Sequence, residues 1–249
     1  MAKTNGKDAI NPLIKELIAQ QNSVVSKSSM TAEEMAANVK LWIPTGSYAL
    51  DKILSNNKEY GGWPCGRIVE VYGAESTGKS TLAYQAMANT QKMGGICIFF
   101  DAEQAGSRDM MRFCGVNTDE VVYNDLSEIE KIFEALEKNL IYISSLKEYK
   151  DKPVFVLIDS IAALITKDEE EGSYEHNMNI ATKKAVQLGK ALRKITPLLN
   201  KANACLYFVN QIRDKIGVVF GNPECVDPHT TKVKLKISKN TYEKYFLNK

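Results

Sequence analysis

The sequence predicts a doubly wound α/β domain built on a mostly parallel sheet. Three observations carry that reading. Short apolar runs recur at 67–72 (RIVEVY), 96–100 (ICIFF), 154–158 (VFVLI) and 205–209 (CLYFV). Longer stretches with helical spacing of their apolar residues separate them, at 80–93, 128–146 and 179–199. The runs are continuous rather than alternating, as expected of parallel strands covered by helices on both faces.

Residues 1–42 form a small N-terminal helical segment distinct from this core. Ile10, Leu13, Ile14, Leu17 and Ile18 share one face of an amphipathic helix. A polar linker over 23–29 and a second short helical pattern over 31–39 follow. So short a helix is marginal alone and must pack, on its own domain or on a neighbouring copy; the pattern does not choose. From Ile43 the strands and helices alternate. The helix over 179–199 is expected to end near Pro197, which cannot donate a backbone hydrogen bond.

Composition sets bounds. The 249 residues allow one large domain and a small appendage, and 44% hydrophobic with 25% charged residues is ordinary for a globular chain. A net charge of +2 neither requires nor excludes a nucleic-acid partner, since a local patch or an assembled surface can bind one. The five cysteines are scattered with no C-x-x-C pair and only two histidines are present, which argues against a disulfide framework or a zinc site. Cys97 and Cys205 lie in apolar runs and read as core residues. No apolar run reaches the roughly 18 residues of a spanning helix, and the N-terminus lacks the apolar centre of a signal peptide. A cytoplasmic setting with no membrane partner is expected.

The strongest chemical signal is Gly73-Ala74-Glu75-Ser76-Thr77-Gly78-Lys79-Ser80, which fits G-x-x-x-x-G-K-[ST] between a strand and a helix. Glycines let the backbone wrap phosphates, and the first helical N–H groups, through Thr81, point at their oxygens. Lys79 would neutralise β/γ-phosphate charge and the Ser80 hydroxyl would ligate Mg²⁺. Asp159 closes the run VFVLI, where a carboxylate at a parallel strand's C-terminal end can hold Mg²⁺ through water; the alternative is a carboxylate capping the next turn. Asp101 and Glu103 close ICIFF. Hydrolysis needs a carboxylate beyond the γ-phosphate to orient water, and Glu103 suits that position while Asp101 supports the strand end. Gln211, after CLYFV, can sense a γ-phosphate through its amide, though Asn210-Gln211 alone reads more simply as a loop pair.

These phrases accumulate. PTGSYALDKIL (44–54), GGWPCGRIVEVYGAESTGKSTL (61–82), FDAEQA (100–105), VLIDSIAAL (156–164) and VNQIRDKIGVVFGNPE (209–224) occur in order. Together they resemble the RecA recombinase family and its phage relatives of the UvsX kind, over about 43–224. The resemblance implies a RecA-like P-loop ATPase core using ATP and Mg²⁺, assembling as a homo-oligomeric filament on single-stranded DNA for homologous pairing and strand exchange. It assigns Glu103 as the catalytic glutamate, Lys79 and Ser80 as phosphate and Mg²⁺ contacts, and Asp159 as the metal-side aspartate. Gln211 becomes the residue coupling γ-phosphate to the DNA loop, which Arg213 and Lys215 open with cations suited to phosphates. The other DNA loop falls near 169–180, where EEEGSYEHN is acidic and only Lys183 and Lys184, just beyond, bring positive charge. Where the family stacks an aromatic on adenine, Met110 stands, and its thioether can pack against the base.

After Glu224 the resemblance breaks. The family continues with a Thr- and Gly-rich loop, further strands and a C-terminal domain; here Cys225-Val-Asp-Pro-His-Thr-Thr-Lys-Val-Lys-Leu-Lys follows and the sequence ends at Lys249. A core that stops there leaves an apolar sheet edge open. The pattern Cys-Val-x-x-x-Thr-x-x-Val, with Thr230 and Val233, resembles an intein start. Cys225 would then be the splicing nucleophile attacking the Glu224 carbonyl to form a thioester. The 25 residues from Cys225 are too few for a whole splicing domain, so the reading is a split intein completed by a second chain carrying the complementary intein and recombinase pieces. A frameshifted or truncated tail and a divergent relative stay open, as does a non-catalytic RecA-like filament regulator, which would have no need of Lys79, Ser80, Glu103 and Asp159 together.

Overall fold

Continuous apolar strands bury both faces, and the chain folds accordingly. A computed structural model describes residues 12–24, 39–56, 60–171, 180–214, 224–225 and 233–238. The chain divides into two compact units, 1–39 and 40–249. In the first, helix α1 (Pro12–Val24) carries Leu13, Ile14 and Leu17 exposed. The second expected helix, over 31–39, lies outside the described residues except for Val39.

The larger unit opens with strand β1 (Trp42–Ile43), helix α2 (Tyr48–Leu54) and strand β2 (Trp63–Pro64), which pairs antiparallel with β1. Strand β3 (Ile68–Gly73) leads into helix α3 (Lys79–Lys92), then strand β4 (Ile96–Asp101) and helix α4 (Arg108–Phe113). Strand β5 (Val121–Asn124), helix α5 (Ile129–Ser145), strand β6 (Val154–Asp159), helix α6 (Lys167–Glu171), helix α7 (Ile180–Lys201) and strand β7 (Ala204–Gln211) follow. Two-residue strands β8 (Arg213–Asp214) and β9 (Glu224–Cys225) pair antiparallel, and strand β10 (Val233–Lys236) comes last.

The main sheet has order β10-β3-β7-β6-β4-β5, and every pair in it is parallel. Side chains alternate between two cores. Val69, Val71, Phe99, Phe155, Leu157 and Tyr207 meet α3 through Leu82, Ala86 and Met87. Ile98, Phe100, Val156, Ile158, Leu206 and Phe208 meet α5 and α7 through Ile132, Leu136, Leu188 and Leu192. Cys97 and Cys205 are fully buried as expected, and burial pushes the Cys97 thiol up to about 12. Cys65, Cys97, Cys114 and Cys205 are free thiols.

Three expectations are corrected. The edge of β3 is not open, because β10 pairs with it in register from Val233 beside Val69 to Lys236 beside Tyr72. The new edge is blunted by Lys234 and Lys236, both exposed, a charge pattern that discourages further strand pairing. Helix α7 does not end near Pro197 but runs on to Lys201, its buried Leu192, Ile195 and Leu199 holding the last turn to the sheet against the missing hydrogen bond. Asn210 and Gln211 are the last residues of β7 rather than a loop pair. Among the described residues no helix is long and apolar enough to cross a membrane.

Candidate functional site

The sheet order brings the C-terminal ends of β3, β4, β6 and β7 to one crevice, as open parallel sheets do where their strand order reverses. At the end of β3 the glycine-rich turn leads directly into α3. Gly78 adopts φ 87° there, in the left-handed region that favours glycine, and Ser76 lies at φ 56°. No side chain caps the amino end of α3. Gly73 has a second constraint: a Cβ there would lie 2.2 Å from the Ile237 carbonyl oxygen, so the chain after β10 passes directly against the turn. Tyr207 braces the helix start, its hydroxyl 3.4 Å from the Lys79 carbonyl oxygen and its ring packed edge-on to Trp63 with centroids 5.1 Å apart.

Lys79 is buried, and its Nζ donates to the Gly73 and Ala74 carbonyls at 3.0 and 2.6 Å. Burial lowers its proton affinity, opposed by Asp159, Glu103 and Glu75. Ser80 Oγ donates to Asp159 Oδ2 at 2.6 Å. Asp159 is pushed up to about 6, by burial first, with Glu103 and Asp101 adding to the rise and the Ser80 hydrogen bond and Lys79 opposing it. Among the described residues, carboxylates outnumber the one lysine around Asp159. Among the described residues no three His, Cys, Asp or Glu side chains are grouped to hold a metal ion. Ser80 and Asp159 could hold a hard cation only with phosphate and water oxygens completing its shell, the usual manner of Mg²⁺.

Asp101 and Glu103 meet different partners. Asp101 is buried and accepts from Gly106 N at 2.8 Å, Ala105 N at 3.2 Å and the Tyr123 hydroxyl at 2.9 Å, so it ties the loop after β4 to β5. Glu103 Oε1 accepts from the Ser160 hydroxyl and, at 3.3 Å, from Gln211 Nε2. Ser160 follows a cis peptide bond from Asp159. Gln211 pairs in register with Gly73, the first residue of the turn. Met110 lies on α4, partly exposed, with its N–H capped by Ser107 Oγ.

The expected nucleic-acid residues are less fully placed. The backbone of Arg213 pairs in β8 with Cys225 of β9. Lys215 lies outside the described residues, as do 172–179 of the acidic loop. Lys183 pairs with Asp168 at 3.0 Å and Lys184 donates to the Ala162 carbonyl at 3.0 Å. Sequence reasoning gave no role to Ser160, Tyr123 or Glu70. A hydroxyl beside a strand-end aspartate and a carboxylate inside an apolar run were the available signals.

Comparison with known proteins agrees with this geometry. The model of the RecA N-terminal domain matches residues 12–239. The chain belongs to the RecA family. It is 44% identical over 184 residues to the RecA protein of Geobacter sulfurreducens, covering 73% of this chain and 50% of that protein. It is 43% identical over 182 residues to that of Cutibacterium acnes, covering 73% and 48%. With the Porphyromonas gingivalis protein, identity is 39% over 204 residues, covering 82% and 54%. This RecA-family chain thus spans about half the length of the curated relatives it matches. The family match runs across the Glu224–Cys225 junction and includes β10.

Proposed function

We propose that this chain is the N-terminal portion of an ATP- and Mg²⁺-dependent DNA recombinase that assembles as a filament on single-stranded DNA for homologous pairing and strand exchange. The observation that carries the reading is the convergence at one crevice of the Gly73–Ser80 turn, the Ser80–Asp159 contact and Glu103 with Gln211. In this reading the backbone and side chains of 73–81 cradle the phosphates and Lys79 moves from its two carbonyls to the β/γ-phosphates. Ser80 and Asp159 would hold Mg²⁺, which would supply positive charge among the carboxylates there. ATP supplies the phosphoanhydride bond to be cleaved. Glu103 orients the attacking water, and Gln211, already against Glu103, registers the γ-phosphate and passes its presence to the segment that Arg213 and Lys215 open toward DNA. The exposed Leu13, Ile14 and Leu17 of α1 support packing on a neighbouring copy. Four free thiols support a cytoplasmic setting.

The test is calorimetric titration of the chain with a non-hydrolysable Mg²⁺–ATP analogue. Binding is expected, and Lys79→Ala should weaken it at least about tenfold through loss of a charge-assisted contact. Glu103→Gln should still bind but lose turnover once the protein is completed. No binding by the unaltered chain would sink the reading, and wild-type turnover by Glu103→Gln would remove the glutamate from the mechanism.

A second reading concerns the tail. The Cys225, Thr230 and Val233 spacing favours a split-intein terminus, whereas a family match reaching residue 239 and the place of β10 beside β3 favour a tail that belongs to the core. Mass spectrometry after dithiothreitol separates them. Release of residues 225–249, abolished by Cys225→Ala, would establish thioester formation; an intact chain, with and without a complementary fragment, would assign the tail to the core.

A further inference from the structure

A buried polar chain reaches the candidate site from the far edge of the sheet. Glu70 lies in the middle of β3 with no exposed surface, an expensive place for a carboxylate without partners. Its Oε2 meets Lys234 Nζ of β10 at 3.0 Å, the residue directly opposite in register. Its Oε1 accepts from Asn210 Nδ2 of β7 at 2.8 Å. Asn210 is itself buried, and its Oδ1 accepts from the backbone N–H of Gln211 at 2.8 Å. Gln211 Nε2 then reaches Glu103 Oε1 at 3.3 Å. Glu70 and Asn210 sit on one face because strand side chains alternate and Asn210 pairs with Tyr72, two residues beyond Glu70.

We propose that Glu70 and Asn210 are positioning residues that aim Gln211 at Glu103, and that Lys234 of β10 holds Glu70 in place for that task. An asparagine amide is suited to the role because it donates to a carboxylate on one side and accepts from a backbone N–H on the other. A leucine would fill the same space and remove both of these hydrogen bonds. The chain continues the electrostatic logic across three adjacent strands, and its cation comes from the tail, so the strand that closes the sheet also sets the geometry of the γ-phosphate end. The phosphate part of this inference rests on the function proposed above; the aiming of Gln211 does not.

The test exchanges amide and carboxylate. Asn210→Asp alone faces Glu70 with a second carboxylate, and Glu70→Gln with Asn210→Asp restores the same hydrogen bond with donor and acceptor swapped. The first readout needs no nucleotide: the side-chain amide resonance of Gln211, assigned with Gln211→Ala, and its shift when Glu103→Gln is added. That shift should be at least halved in N210D and recovered in E70Q/N210D. The second is the affinity ratio of a non-hydrolysable triphosphate to the diphosphate, expected to fall about tenfold in N210D and return in the double variant, as for loss of one hydrogen bond to a charged group. Should N210D fail to fold, K234M and K234M/E70Q read the same chain from its other end, with loss and then recovery of the Gln211 response. A Gln211 response unchanged in a folded N210D, or unrecovered in a folded double variant, overturns the inference. If the unaltered chain binds neither nucleotide, the proposed function fails while the resonance shift still decides the positioning role.

Discussion

Asp159 sits where three carboxylates share one lysine, and burial raises its carboxyl from the ordinary 3.8 to about 6, so its ionised form is less favoured than in an exposed aspartate. The folded protein holds this proton more tightly than the unfolded chain does, so the ionised carboxylate burdens the fold. The burden is absent below the ordinary 3.8, grows as pH rises through about 6, and is complete above it. Asp159→Asn keeps an acceptor for Ser80 and removes the buried charge. In the metal-free chain it should raise the melting temperature by several degrees at pH 7.5, from a gain of about 2 kcal/mol, and by little near pH 4; melting in a chelator at both pH values checks this. The same substitution should weaken binding of a Mg²⁺-nucleotide, because a carbonyl oxygen is a poorer partner for a hard cation. A residue whose ionised form costs stability in the unliganded fold is what a functional site predicts.

Among elements, α1 and β10 are the two that carry meaning beyond their own length. Helix α1 has an apolar stripe, Leu13, Ile14 and Leu17, that is exposed, and a 13-residue helix does not persist in water on propensity alone. Leu17→Glu should therefore leave the melting of the larger unit within about 0.5 kcal/mol of wild type. In the filament proposed above it should weaken self-association on single-stranded DNA about tenfold or more, as expected when a charge is placed in an apolar contact. Sedimentation velocity reads both the free and the DNA-bound states, and unchanged assembly would remove α1 from the interface. Strand β10 is legible as an alternating KVKLK run, but its partner is not, since nothing local in it names β3. Its Lys234 closes onto Glu70, a contact that the run alone does not announce.

For the whole molecule, the tail decides whether the sheet is finished. Ile237 is buried in the α3-side core, its N–H donates to the Tyr72 carbonyl at 2.8 Å, and its carbonyl oxygen packs against Gly73. A chain ended at Cys225 loses that side chain, the β10 ladder and the cation opposite Glu70 together. Loss of a buried isoleucine and removal of the cation paired with a buried carboxylate each cost about 3 kcal/mol or more, so the shortened chain should melt well below the whole one and aggregate through the bared β3 edge. Thermal melting with light scattering measures both. Equal stability of the two chains would mean that residues 226–249 are an appendage.

By itself the sequence determined the fold class, the place of the glycine-rich turn and the family, because each is written locally. Strands buried on both faces must be continuous in apolar residues, and Gly73, Gly78, Lys79 and Ser80 stand at a fixed short spacing between a strand and a helix. Only the tertiary structure decided what meets across strands. Strand order placed β7 beside β3, which set Gln211 opposite Gly73 and brought Asn210 to Glu70; it placed β10 outside β3, which closed an edge expected to be open. Pro197 stayed helical for the same reason, since burial of Leu192, Ile195 and Leu199 outweighs one lost backbone bond. Local chemistry is carried by residues a few positions apart, whereas pairing and burial depend on residues more than a hundred positions apart, and one sequence does not state which of these meet.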